Sequence, residues 1–131
     1  MKRASPRIKR CETLADVRRE IDRLDRRIVA LLSERAGYVG EAARIKERPS
    51  QIVDRARIRD VVAKARGRAD ALGADPDTIA TIYEEMIGAF IAFERRAFAT
   101  KTRAASKAAK SKARKKATAP RRAPKRAKSR R

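Results

Sequence analysis

Six aliphatic residues, Leu14, Val17, Ile21, Leu24, Ile28 and Leu31, recur at alternating intervals of three and four. That is the seam of a helix packed against another helix. The stretch contains no proline until Pro49 and few β-branched residues. Thr13 stands where an N-cap belongs, with Asp16 three residues later to complete a capping box. A helix from there to about residue 48 has roughly 35 residues and a length of about 50 Å. A compact domain of 100 residues has a radius of gyration of only about 13 Å. A chain of 131 residues therefore cannot cover such a helix by itself. The pattern predicts a second copy, most simply a two-fold dimer.

The remaining pattern is also helical. A second helix is expected from about 51 to 71, with a weaker stripe of Ile52, Ala56, Arg59/Val62 and Ala63. Gly73 breaks it. Asp75-Pro76-Asp77 then reads as a helix start: N-cap, proline in the first turn, and an acid at the positive end of the dipole. The third helix is expected to reach about 99 on Ile79, Ile82, Tyr83, Met86, Ile87, Phe90, Ile91 and Phe98. With no credible strand, the fold class is all-α.

Composition excludes several chemistries. His and Trp are absent, and Cys11 is the single cysteine. Zinc centres built on Cys or His, Ser-His-Asp triads and an intrachain disulfide all need residues this chain lacks. Cys11 has no neighbouring base and reads as a bystander. Tyr38 and Tyr83 read as packing residues. No apolar run approaches the roughly 20 residues of a membrane span. The opening MKRASPRIKR is basic but has no apolar core of a secretory signal. The expected compartment is the cytoplasm, with no membrane partner.

The net charge of +21 is uneven. Residues 101–131 carry 15 of the 37 Lys and Arg and no acid, whereas residues 1–100 are only +6. The tail has no Leu, Ile, Val or aromatic residue, so it cannot bury apolar area to offset the entropy of ordering. The division expected is a disordered basic N-terminus (1–11), a folded domain (12–99) and a disordered Lys/Arg/Ala-rich tail (100–131). Such a tail, similar in composition to histone-like tails, attracts nucleic acid or other polyanions without regard to sequence. A merely solubilising extension is the alternative.

Three charges fall where apolar residues belong. Past Leu31 the seam reaches Arg35, and Lys46 lies about 20° from Arg35, three turns on. Two cations on one inward face require an anion or carboxylate partners. Arg18 lies about 100° round the helix from Arg35 and is expected to face another surface, that of the neighbouring protomer. Glu94 falls between Tyr83 and Ile87 on the apolar face of the third helix. Burial there favours its neutral form unless a cation lies close. One reading is structural, with ion pairs to acids such as Glu41 or Asp54, or between Glu94 and an inward cation. The other is that these groups face a ligand.

LADVRREIDRLDRRIVALLSERAGYVGEAARIK strongly resembles the first helix of AroQ-type, all-helical chorismate mutases. The matching elements are Arg18, Ile21-Asp22-x-Leu24-Asp25, Leu31-Leu32-x-x-Arg35 and Lys46. Asp54-Arg55 resembles the second-helix Asp-Arg of that family, and MIGAFIAFE the segment ending in its active-site Gln or Glu. CETLADVRREIDRLD and RAGYVGEAARIK are most similar to a branch that includes isochorismate pyruvate-lyases.

The resemblance implies a three-helix protomer in an intertwined dimer. Each site would be lined by Arg35, Lys46, Arg55 and Glu94 of one chain and Arg18 of the other. It implies chorismate, a dicarboxylate, as substrate, and rearrangement to prephenate without a cofactor or metal. Arg18 and Arg35 would clamp the carboxylates, Arg55 would orient or neutralise nearby, and Lys46 and Glu94 would meet the ether oxygen as the C–O bond breaks. Glu94, Gln in several relatives, would act as the neutral acid. Ala56 and Ile52 stand where some members carry Glu and Asp. The alternative on the same scaffold is a salicylate-forming isochorismate pyruvate-lyase, and a decayed, inert dimer is a further one.

Overall fold

The computed structural model describes residues 5–120, and these contain three α-helices, one 3-10 turn and no strand. Helix α1 spans Leu14–Ile45, α2 Arg55–Ala71 and α3 Pro76–Ala117, with the 3-10 turn at Pro49–Gln51. No helix among the described residues is long and apolar enough to cross a membrane. Two compact units divide the chain, one up to Ala99 and one from Thr100 onward.

The helix ends follow local chemistry. Thr13 caps α1, accepting from the Asp16 amide at 3.1 Å, while the Asp16 carboxylate accepts from the Thr13 amide at 3.0 Å. Those hydrogen bonds hold the Asp16 carboxyl below its ordinary range. At the other end Lys46 turns extended, its amide still donating to the Ala42 carbonyl at 2.9 Å. The helix stops short of residue 48 because a residue before proline is pushed out of the α region, and Arg48 is extended before Pro49.

Helix α2 begins four residues later than the stripe suggests. Pro49 opens a 3-10 turn instead, and the Gln51 side-chain oxygen accepts from the Glu47 and Arg48 amides at 2.9 and 3.0 Å. Asp54 then caps α2, accepting from the Arg57 amide at 3.0 Å. The helix ends in a Schellman arrangement, with the Ala74 amide donating to Ala69 and the Gly73 amide to Asp70. Gly73 takes φ of +72°, a conformation other residues adopt at a cost. Asp75, Pro76 and Asp77 start α3 as expected, with the Asp75 carboxylate accepting from the Thr78 amide at 3.2 Å.

The first unit has a small core. Ala43, Ile52 and Phe98 are buried together, with Ile91 and Ala97 packed against them. Ala65 and Ala69 on α2 and Ala80 on α3 are also buried, and their small side chains suit close approach of helices. By contrast, the six seam residues of α1 remain 38–71% exposed. The other described residues leave them uncovered.

The composition of the tail implies disorder over 100–131, yet residues 100–117 are helical. Ala, Lys and Arg are among the strongest helix formers, so local propensity acts where tertiary burial does not. Thr118 closes this helix, its amide and hydroxyl both donating to the Arg114 carbonyl, and Pro120 bars continuation. Residues 5–11 carry no regular secondary structure. The tail beyond 120, and residues 1–4, lie outside the described residues.

Candidate active site

Arg35 lies on α1, Lys46 is the extended residue that follows its last turn, and Phe90 and Glu94 lie one turn apart on α3. Where these elements meet, a cavity of about 470 Å³ is lined by Arg35, Lys46 and Glu94 among aliphatic and aromatic side chains. The Lys46 ammonium donates to Glu94 Oε1 at 2.6 Å. Glu94 is only 6% exposed, and a charge so buried requires a partner. The Arg35 guanidinium carbon sits 4.5 Å above the Phe90 ring, within cation–π range. Phe93 meets Phe90 edge-on, with centroids 6.4 Å apart, and steadies that platform. Arg35 is thereby held on an aromatic face with its donors available at the cavity wall.

The two structural alternatives for these cations separate here. Glu41 pairs with Arg44 at 2.7 Å, and Arg44 holds the Glu41 carboxyl below its ordinary range. Asp54 serves as the α2 cap. Neither is the partner that the inward cations find across the cavity. Glu94 is paired with an inward cation and also lines the cavity, so its structural and ligand-facing readings hold together.

Arg55 and Arg18 are placed differently. Arg55 is exposed in the first turn of α2 and lines a neighbouring recess of about 490 Å³ that shares Lys46, Gln51 and Asp54 with the main cavity. Arg57 lines the main cavity instead. Its guanidinium bonds Asp60 at 2.9 Å, and Asp60 is held below its ordinary range first by Lys64 and then by Arg57. Arg57 escaped the sequence reading because residues two apart on a helix lie about 200° apart. Arg57 accordingly faces the cavity and Arg55 the adjoining recess. Arg18 is exposed on α1, about 25 Å along the helix from Arg35, beyond reach of the cavity in its own chain. Ile52, where some relatives carry an acid, is buried in the core, and Ala56 is exposed.

Residues 17–95 match the chorismate mutase type II family. The chain belongs to this family. The type II mutase region takes in α1 from Val17, the 3-10 turn, all of α2, and α3 as far as Arg95. It includes Arg18, Arg35, Lys46, Arg55 and Glu94. The chain is also 31% identical, over 96 residues, to an isochorismate pyruvate lyase of Pseudomonas aeruginosa, a match covering 73% of this chain and 94% of that protein. The branch suggested by the N-terminal motifs of this type II mutase relative is the branch in which that similarity falls.

Proposed function

We propose that the protein is a chorismate mutase, converting chorismate to prephenate in a two-fold dimer. The observation that carries this reading is the Lys46–Glu94 pair at 2.6 Å, set with Arg35 in the wall of a mostly apolar cavity. A compact dicarboxylate supplies the negative charge that two inward cations call for. The rearrangement is an isomerisation: one C–O bond breaks as one C–C bond forms, and no group leaves. It needs no nucleophile, only a bound reactive conformer and fixed positive charge where the ether oxygen becomes electron-rich. Arg35 binds a carboxylate. Lys46 donates to the ether oxygen, and the Glu94 carboxylate, accepting from the Lys46 ammonium, fixes that donor in the cavity wall.

The dimer follows from the uncovered seam. Burying six half-exposed aliphatic side chains against a second copy is favourable by roughly 25 cal/mol per Å² of apolar area. The same pairing carries Arg18 of one protomer to the cavity of the other, where it provides the second carboxylate clamp. Arg55, from the adjoining recess, orients or neutralises nearby.

A second reading is an isochorismate pyruvate-lyase on the same scaffold, favoured by the 31% identity to such an enzyme. Cleavage of isochorismate to salicylate and pyruvate again breaks the ether C–O bond, and a ring hydrogen must pass to the enolpyruvyl methylene for the atoms to balance. Incubating the purified full chain with each compound and identifying the product separates the two. Prephenate from chorismate supports the mutase, and salicylate plus pyruvate from isochorismate the lyase. No turnover of either rejects both and leaves an inert dimer.

A further inference from the structure

The catalytic reading makes no use of the second unit, whose chemistry differs. Between 100 and 117 the helix carries eight Lys or Arg residues and no acid, and residues 121–131 add seven more cations. Most charged helices in proteins intersperse acids, as α1 does through Asp16–Arg19, Glu20–Arg23 and Glu41–Arg44. Here nothing within the segment can neutralise the charge.

The spacing adds a direction. Arg103, Lys107, Lys110 and Arg114 recur at intervals of four, three and four. They fall within about 60° of one another and run about 16 Å along the axis. Lys112, Lys115 and Lys116 lie on roughly the opposite side. Between these two rows the surface is mostly alanine and serine, and every residue from 103 to 117 is exposed.

Two classes of polyanion meet this differently. An anionic membrane surface is flat and touches one side of a helix, and stable interfacial binding needs large apolar side chains on that side. Residues 100–117 contain none. A nucleic-acid duplex has two phosphate walls, and its major groove, about 12 Å wide in DNA, admits a helix of about 10–12 Å diameter. Small side chains between two basic rows let such a helix enter and meet both walls. The absence of aromatic residues and of Asn or Gln from 100–131 removes base stacking and the amide pairs that read adenine.

We propose that the C-terminal unit binds duplex DNA through its phosphate backbone without regard to sequence, with Arg103, Lys107, Lys110 and Arg114 forming one of its two contact rows. This site is independent of the mutase cavity, and its failure would leave the catalytic reading intact.

The test uses the full chain, a fluorescently labelled duplex and anisotropy over a salt series. Contact with six to ten phosphates weakens binding by about 10³- to 10⁵-fold between about 50 and about 200 mM salt. The quadruple variant R103Q/K107Q/K110Q/R114Q keeps strong helix formers in place. It should bind more weakly at every salt concentration, with the log–log salt slope reduced by about 3.6, while far-UV circular dichroism is unchanged. Unlabelled duplexes of unrelated sequence should compete equally. The proposal is overturned if the full chain fails to bind at the lowest salt, if the variant keeps the parent slope, or if one sequence competes far better than the rest. It is also overturned if vesicles of phosphatidylserine and phosphatidylcholine retain the chain more strongly than the duplex does.

Discussion

The C-terminal half of α1 and residues 100–117 of α3 are both helices that carry cations, yet they do different things with them. On α1 and its cap, Arg35 rests on Phe90 and Lys46 meets a buried carboxylate, so each charge has a fixed direction at the wall of one cavity. On residues 103–117 every side chain is exposed, and the segment holds no acid. On the proposed reading, apolar neighbours and one buried acid turn positive charge into a site for a small, shaped anion. Their absence leaves the surface proposed to meet a long, repetitive one. Net charge does not distinguish the two, because the neighbours of each charge decide.

Five substitutions and one pH series would break or sharpen that contrast. Arg35→Ala removes the guanidinium without emptying the aromatic wall. Losing one preorganised donor costs about 10²–10³ in kcat, and loss of the carboxylate clamp deepens the fall in kcat/KM. The same truncation at Lys107 on the tail should leave turnover within twofold, measured as initial rate on whichever substrate is active. Equal effects at the two positions would erase the contrast.

The shared-site arrangement can be tested by complementation. Arg18→Ala and Arg35→Ala homodimers should each be nearly inactive. Unfolding and refolding the two together lets half the dimers be mixed, each with one intact site, so about a quarter of parent activity returns. No recovery would mean that Arg18 does not serve the neighbouring cavity. Ile28→Asp on the exposed seam should give a monomer by light scattering, and a parent-like mass would refute the seam as the interface.

Gly73→Ala should lower stability by about 1–2 kcal/mol, because an L side chain is strained in the left-handed region. The added Cβ meets only the Ser5 hydroxyl at an ordinary 3.9 Å, so the effect should be backbone strain alone. Thermal melts check it, and an unchanged Tm refutes it. The smallest effect is at acid pH. Asp16 and Asp75 are held below their ordinary range chiefly by hydrogen bonds from Thr13 and Thr78. A carboxyl whose folded value is depressed adds stability above its unfolded value, near 4, and loses it as pH falls through the folded value. Melting temperature should therefore decline below about pH 4, and less so in Asp75→Asn. An identical decline in the variant would remove Asp75 from the account.

Much of the first unit was legible in the sequence because its determinants are local. The Thr13–Asp16 box, the Gly73 stop and the Asp75-Pro76 start need only neighbouring residues, and the spacing of Arg35, Lys46 and Glu94 already placed them on inward faces. Two features were not legible. The start of α2 depends on competition between a proline turn and the Asp54 cap, and the place of Arg57 in the cavity wall depends on how α2 packs beside α1 and α3. The helix over 100–117 was hidden by an argument about burial alone, which sets propensity at zero in a segment rich in alanine, lysine and arginine.

The central claim is that the paired Lys46 and Glu94, beside Arg35, stabilise a rearranging dicarboxylate. The most direct measurement is the initial rate of the full chain and of Lys46→Met on chorismate and on isochorismate, with melting temperatures recorded for both proteins. The account predicts that the parent consumes one of the two compounds and that Lys46→Met, still folded, is slower by at least about 100-fold. A parent inert toward both, or a folded Lys46→Met that keeps the parent rate, would contradict it.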